Sequence, residues 1–112
     1  MSERQVVLMT ASSQQEADRI AETLVGEGLA ACVNVVRGVT SVYRWQGEIQ
    51  RDRECLLVAK TRRELLEELV ERVHELHSYE VPEVIALPIS DGSERYLRWL
   101  DGEVQDRRQA SS

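Results

Sequence analysis

The sequence predicts an α+β protein: a ferredoxin-like βαββαβ sandwich with a long hairpin between the second and third strands and a C-terminal helix. Short apolar runs typical of strands alternate with two amphipathic stretches of helical periodicity. Between those stretches, residues 31–61 have the pattern of one β-hairpin. Two split βαβ units of this kind form a four-stranded antiparallel sheet with both helices on one face.

The first strand and helix are predicted from an apolar run and a capping signal. Residues 6–10 (VVLMT) are almost entirely apolar, as in a buried strand. Residues 13–16 (SQQE) match a capping box, and Gly26 and Gly28 are placed to end the helix that follows. The apolar residues at helical spacing are Ala17, Ile20, Ala21, Leu24 and Val25.

The hairpin is predicted to have arms at residues 31–45 and 48–60, joined by a turn at Gln46 and Gly47. At about 3.3 Å per residue the first arm extends roughly 50 Å. A compact chain of this length has a radius of gyration of about 13 Å and therefore a diameter of about 35 Å. The arm must therefore bend or lie against another copy of the chain.

A bend is predicted at Arg37 and Gly38, where an arginine and a glycine interrupt the apolar series of the first arm. The near half of the hairpin is expected to join the core. The far half is polar, and an isolated two-stranded ribbon is marginally stable in water, so it needs support. The core residues of the near half are predicted to be Val33, Val35, Leu57 and Ala59.

The second half of the chain supplies a helix, a strand and a terminal helix. Residues 61–64 (TRRE) match a second capping box, and residues 84–87 form an apolar run between Pro82 and Pro88. Asp91 is predicted to cap the last helix. The second helix has an apolar stripe of Leu65, Leu66, Leu69, Val70, Val73 and Leu76. The last helix is expected to turn Tyr96, Leu97 and Leu100 inward and to end before Gly102.

Length and composition indicate one domain, predicted at residues 1–104, with a polar and frayed tail at residues 105–112. The net charge of −6 argues against a nucleic-acid partner and against binding to an anionic membrane, since both favour clustered basic residues. Nothing approaches the ~18 apolar residues of a membrane span. A cytoplasmic location is therefore expected.

The two cysteines are predicted to be free thiols. In the predicted hairpin register, Cys55 lies opposite Arg37 or Gly38, and Cys32 lies opposite Lys60. The sulfurs are then separated by roughly 15 Å along the ladder, whereas a disulfide needs Cα atoms within about 7 Å. Free thiols are typical of a reducing compartment.

The hairpin tip carries the large side chains Tyr43, Arg44 and Trp45. One interpretation is that the two aromatic rings pack across the ribbon. The other is that the three residues anchor a subunit interface, where Tyr, Trp and Arg are enriched. The length of the arm favours an interface.

Four separated segments resemble the CutA divalent-cation tolerance family, in the order and spacing of that family over nearly the whole chain. The resemblance implies a ferredoxin-like subunit that forms a homotrimer through its hairpins, similar in architecture to the PII signalling proteins. It also implies a link to copper or other divalent cations and no established catalytic activity. The segments are residues 29–34 (LAACVN), 41–48 (SVYRWQGE), 79–83 (YEVPE) and 96–100 (YLRWL).

The resemblance carries over a metal site only in part. In copper-binding members the metal ligands resemble a cysteine at the end of the first strand and histidines just before a Pro-Tyr pair. Here Met9 stands at the strand position, Leu76 replaces one histidine, and His77 is followed by Ser78. A thioether and an imidazole suit Cu(I), and Glu83 adds a carboxylate. Weak binding of copper or another divalent cation, not required for folding, is the expectation. Core filling by Met9 and a helix-terminal role for His77 are the alternatives.

A second candidate site is a pocket between subunits for a small anion or another small molecule. Its candidate residues are polar and lie near strand ends or in the family motifs. An enzyme is disfavoured because no Ser-His-Asp arrangement can be assigned. A signalling trimer that binds a partner protein is the remaining alternative. The pocket candidates are Asn34, Ser41, Glu54, Lys60, Tyr79 and Glu83.

Overall fold

A computed structural model describes residues 3–105 of the 112-residue chain and confirms the ferredoxin-like fold. Its elements are β1 (Arg4–Ala11), α1 (Gln14–Gly26), β2 (Cys32–Trp45), β3 (Glu48–Arg62), α2 (Leu66–Leu76), β4 (Val84–Pro88) and α3 (Glu94–Glu103). The strands form one sheet in the order β2-β3-β1-β4, and all neighbouring strands are antiparallel. Within the described residues, no helix is long and apolar enough to cross a membrane.

The described residues end at Gln105, one position into the predicted tail. Gln105 donates its backbone N–H to the carbonyl oxygen of Gly28 at 2.9 Å, which fixes it beside the end of α1. Residues 106–112 of the predicted tail lie outside the described residues. The domain limit at residue 104 therefore stays a prediction.

The β2–β3 hairpin has the predicted register. Cys32 pairs with Lys60 at its base, and Trp45 pairs with Glu48 at its tip. The register shifts between Val36 and Val39, and Gly38 has a φ of 73° there, so the predicted bulge is present. Both cysteines are free thiols. Beyond the bulge, residues 39–54 form a two-stranded segment that we call the distal ribbon. The longest dimension of the molecule is 47 Å, and the other two are 29 and 25 Å.

The core lies between the helices and one face of the sheet. Alternate residues of β1 and β3 point to this face, and the apolar stripes of α1 and α2 cover it. Burying each large aliphatic side chain stabilises the fold by about 1.5–3 kcal/mol. The fully buried members include Val7, Met9, Leu57 and Ala59 from the sheet and Ile20, Leu24, Leu69 and Val73 from the helices. Val33 and Val35 pack against this core, as predicted.

The opposite face of the sheet, which we call the open face, carries exposed apolar side chains. Ile85 and Leu87 of β4 are each 52% exposed, and Val36 of β2 is 45% exposed. These residues alternate with the core residues of the same strands, so the pleat directs them away from the helices. A contiguous exposed apolar surface is typical of a protein interface.

The second predicted capping box is wrong. Thr61 belongs to β3, where it is buried and donates its hydroxyl to the carbonyl oxygen of Leu29 at 2.6 Å. A 3₁₀ turn at Arg63–Leu65 leads into α2 instead, without a side-chain cap. The hydroxyl is used by a distant carbonyl, and the local sequence contains no sign of that partner.

Three details of α3 also differ from the prediction. The cap is Ser93, whose hydroxyl accepts from the backbone N–H of Tyr96, while Asp91 accepts from the adjacent backbone N–H. Leu100 is buried as predicted, but Tyr96 is 41% exposed. Gly102 lies inside the helix, because Val104 beyond it is buried beside Leu100 and favours another turn.

The first capping box is half correct. Ser13 accepts from the backbone N–H of Glu16 at 3.1 Å. The Glu16 carboxylate does not return this bond but accepts from the backbone N–H groups of Ser12 at 3.0 Å and Ser78 at 2.8 Å. Burial by itself would raise the pKa of Glu16, but the hydrogen bonds from Ser12 and Ser78 outweigh it and lower the pKa to about 2. Glu16 therefore ties the start of α1 to the segment after α2.

We expect Glu16→Gln to lower the free energy of unfolding by about 2 kcal/mol at neutral pH, because charge-assisted hydrogen bonds are lost. The folded pKa of Glu16 lies below the unfolded value of 4.5, so this stabilisation is present above that pH. It is lost as the pH falls towards about 2. Chemical unfolding at about pH 7 and about pH 2.5 should show a difference between variant and wild type that shrinks in acid. Glu22→Gln, at an exposed position of α1, should change nothing; an equal Glu16→Gln effect at both pH values contradicts the prediction.

Candidate functional site

A cleft of about 540 Å³ lies between the distal ribbon and the segment of residues 77–83 that follows α2. This volume is typical of a small-molecule site. Thr10 and Ser41 contribute hydroxyl groups to the lining. The lining also contains three aromatic side chains, Tyr43, Trp45 and Tyr79, and three carboxylates, Glu54, Glu80 and Glu83.

Side chains of the distal ribbon alternate between its two faces, which places the acidic residues on one face and the arginines on the other. Ser41 pairs with Asp52, and Trp45 pairs with Glu48, so these side chains share the face that lines the cleft. The arginines of the ribbon occupy the other face, where they pair with Thr40, Val42 and Ile49. Those arginines are Arg44, Arg51 and Arg53. Among the described residues that line the cleft, none is basic.

Glu54 is the most deeply placed carboxylate of the cleft, with only 7% of its surface exposed. It accepts a hydrogen bond from the hydroxyl of Tyr79 at 2.7 Å. Burial, and then this bond to a carboxylate, raise the pKa of Tyr79, so the phenol stays protonated and keeps donating. Glu54 forms no salt bridge with any residue between 3 and 105. A buried carboxylate without a cationic partner is costly.

The rim of the cleft holds a second carboxylate–phenol pair. The hydroxyl of Tyr43 donates to Asp52, and this bond raises the pKa of Tyr43. Asp52 was not among the predicted pocket residues, although the predicted hairpin register places it opposite Ser41. The two tyrosine hydroxyls therefore both point at carboxylates, and their rings are held in place.

His77 is buried, and both nitrogens of its ring are used in hydrogen bonds. Nε2 lies 2.7 Å from the carbonyl oxygen of Thr10, which can only accept, so Nε2 carries the proton. Nδ1 accepts from the backbone N–H of Tyr79 at 3.0 Å, and the Tyr79 ring packs against the imidazole at 4.7 Å between centroids. In this conformation His77 has no lone pair left for a metal ion.

The predicted metal ligands are not brought together. Met9 is fully buried in the core on the helix side of the sheet, whereas Glu83 is exposed and lines the cleft on the open side. Over the described part of the chain, no three His, Cys, Asp or Glu side chains are grouped closely enough to hold a metal ion. Met9, His77 and Glu83 therefore do not fit a copper ion as one preformed site.

Four of the six predicted pocket residues do lie together: Ser41, Glu54, Tyr79 and Glu83 all line the cleft. Asn34 and Lys60 do not. Lys60 donates to Asn34 near the base of the hairpin, six residues from Glu54 along β3 and therefore roughly 20 Å away. Among the predicted interface residues, Tyr43 and Trp45 line the cleft, while Arg44 lies on the other face of the ribbon.

Sequence reasoning missed four lining residues, Thr10, Val42, Glu80 and Val81. Glu80 directly follows Tyr79 in a family motif, and that neighbourhood was the available signal. Thr10 has no comparable signal, because it lines the cleft only where the distant segment of residues 77–83 lies beside β1, as the bond from His77 to its carbonyl oxygen shows.

Comparison with known proteins gives consistent matches over most of the chain. The family model described as CutA1 divalent ion tolerance protein matches residues 5–103. The chain is 54% identical over 96 residues to the divalent-cation tolerance protein CutA of Thermus thermophilus, covering 86% of this chain and 93% of that protein. It is 50% identical over 101 residues to the chloroplastic CutA protein of Arabidopsis thaliana, covering 90% of this chain but only 56% of that protein.

A solved structure agrees with these sequence matches. The structure of the divalent cation tolerance protein (Cut A1) from Thermus thermophilus superposes with a TM-score of 0.90 at 51% identity, covering 91% of this chain and 99% of that one. The family predicted from the four motifs is confirmed. The chain belongs to the CutA1 divalent ion tolerance family.

Proposed function

We propose that this chain is a non-catalytic, homotrimeric divalent-cation tolerance protein that binds a cation weakly in the cleft. The burial of the Glu54 carboxylate supports this most directly. Glu54 is a buried carboxylate beside which the cleft places no basic side chain among the described residues. A bound cation would supply the missing positive charge. Glu80 and Glu83 add carboxylate oxygens to the same cleft.

The donor set of the cleft consists of oxygen atoms, which suit divalent cations such as Mg²⁺ and Mn²⁺. Copper(II) binds more tightly than Mn²⁺ to most sites made of nitrogen and oxygen donors. A copper site made by Met9 and His77 would first require His77 to give up its bond to Thr10 or to Tyr79. Copper is therefore expected to bind weakly and through carboxylates. Because the apolar core packs without a metal ligand, we expect folding not to require a metal.

The chemistry of the cleft also favours binding over catalysis. The hydroxyls of Ser41 and Thr10 line it, but the imidazole of His77 has both nitrogens engaged with backbone groups. An activated hydroxyl nucleophile needs a base within hydrogen-bond reach. No serine–histidine hydrogen bond is formed by the residues that the structure describes.

The trimer is supported by two surfaces that a single chain leaves uncovered. The open face carries the exposed apolar side chains of Val36, Ile85 and Leu87, and the distal ribbon has only two strands. Closed cyclic symmetry lets each ribbon lie on a neighbour and covers both surfaces at once. The cleft then lies between subunits.

A second candidate function is that of a PII-like signalling trimer, which would bind a small molecule or a partner protein in the cleft. The cleft volume favours it, since about 540 Å³ exceeds the needs of one metal ion. A small anion is disfavoured as ligand by the three carboxylates of the lining. The net charge of −6 disfavours nucleic acid. The cytoplasmic location stays a prediction, because one relative carries a chloroplastic name.

For the assembly, we expect light scattering to give three times the chain mass of 12.8 kDa. Trp45→Ala should weaken the trimer by about 2–4 kcal/mol, measured as dissociation on dilution, because buried Trp residues often dominate interfaces. Val25→Ala, an exposed apolar position on α1, is the control and should leave the mass unchanged. A monomeric wild type would refute the assembly.

For the cation, we expect calorimetric titration with Mn²⁺ and Cu²⁺ to detect weak binding by the wild type. Glu54→Gln should reduce the affinity by about tenfold, because it removes the deepest charge of the cleft. Met9→Leu preserves core volume while removing the thioether, so it should leave the affinity unchanged. Loss of binding in Met9→Leu would restore the Met9–His77 site. Absence of wild-type binding at millimolar cation would favour the second candidate function.

A further inference from the structure

The cleft concentrates the aromatic residues of a chain that has very few. The sequence contains three Tyr, two Trp and no Phe. Three of these five, Tyr43, Trp45 and Tyr79, line the cleft, and they come from both of its walls. Core packing within one chain does not account for them, since Tyr43 and Trp45 are 40% and 50% exposed there. In the proposed trimer Trp45 also contacts a neighbouring chain, so the cleft is bounded by that neighbour.

Two of the rings are held in position by acids. The hydroxyl of Tyr79 donates to Glu54, and that of Tyr43 donates to Asp52. Trp45 stands beyond Tyr43 on the same face of β2 and pairs with Glu48. The cleft thus combines ring surfaces with negative charge, while the arginines of the ribbon lie on its other face.

An inorganic divalent cation would bind the carboxylates of the cleft but not its aromatic rings. It binds oxygen atoms and keeps much of its hydration shell, so aromatic rings contribute little to its binding. An alkylated ammonium ion spreads its charge over apolar methyl groups and is attracted both to ring faces and to carboxylates. Aromatic and acidic lining together select this class of cation.

We propose that the cleft binds an organic ammonium ion, with its charge next to Glu54 and its alkyl groups against Tyr43, Trp45 and Tyr79. The inference rests on the proposed function in one respect, namely that the cleft binds cations, and it names the class of cation that the cleft prefers. The volume of about 540 Å³ accommodates such a molecule together with water.

A ligand series tests the proposal on the unmodified protein by calorimetry. The probes are tetramethylammonium, choline, 3,3-dimethylbutan-1-ol (the uncharged isostere of choline), ammonium and Mn²⁺. We expect choline and tetramethylammonium to bind about tenfold more tightly than ammonium, because only they gain from the rings. The uncharged isostere should bind at least about tenfold more weakly than choline, and Mn²⁺ should compete with choline.

Matched variants separate the rings from the charge. Tyr79→Leu should weaken choline about fivefold and change the Mn²⁺ affinity by less than about twofold, whereas Glu54→Gln should weaken both. Tyr96→Leu removes a tyrosine as exposed as Tyr43 from α3, outside the cleft, and should change neither affinity. A single cooperative thermal unfolding transition and an unchanged assembly mass confirm that each variant is folded, although loss of the Tyr79–Glu54 bond should lower the unfolding temperature.

Each other outcome has one meaning. Equal binding of choline and its uncharged isostere overturns the inference, because the cleft is then only apolar. Equal binding of ammonium and tetramethylammonium overturns it as well, because the carboxylates then act alone. Binding of Mn²⁺ without any organic cation overturns the inference and leaves the proposed function standing. Failure of every cation to bind overturns both.

Discussion

Three hydrogen bonds hold the segment after α2 against three different elements, and the cleft depends on them. His77 bonds to the carbonyl of Thr10 at the end of β1, Ser78 donates to Glu16 in α1, and Tyr79 donates to Glu54 in β3. Two of the three acceptors are carboxylates, and such bonds contribute about 1.5–3 kcal/mol each. Since the segment is fixed at three successive residues, one wall of the cleft exists before any ligand arrives.

The same bonds decide which chemistry is available. A histidine together with a methionine suggests a soft copper site, but both nitrogens of the His77 imidazole form hydrogen bonds that fix the segment after α2. Glu54 has the opposite character: its bond from Tyr79 comes from a neutral phenol and leaves its charge uncompensated. The cation binding that we propose is therefore placed at the carboxylates of the cleft, and His77 serves to position the wall. Residue type alone does not distinguish these roles, because they depend on the partner that each side chain finds.

The sequence predicted correctly those features that depend on neighbouring residues, and it failed where a side chain bonds to a distant partner. The hairpin register and the bulge followed from alternation, a two-residue turn and an out-of-place Arg-Gly pair, so Cys32 was correctly placed opposite Lys60. Residues 61–64 were mistaken for a capping box because the hydroxyl of Thr61 is used by Leu29, a partner 32 residues away. Of the four predicted pocket residues that line the cleft, Ser41, Tyr79 and Glu83 belong to family motifs and Glu54 does not. Membership of a motif was not sufficient, because Asn34 also belongs to one and lies with Lys60 at the base of the hairpin.

The bulge has a consequence beyond bending the arm. A strand alternates with a period of two, so one extra residue moves every later side chain of that strand to the other face. On β3 the open face holds even-numbered residues throughout, from Lys60 to Asp52, so the acids of the cleft keep a constant phase relative to the core. On β2 the open face changes at residues 37 and 38 from even to odd numbers. Without that change Arg44 would lie on the same face as Glu54, and the aromatic rings of β2 would point to the helix side. The acidic and aromatic character of the cleft thus depends on the one extra residue that the bulge inserts into β2.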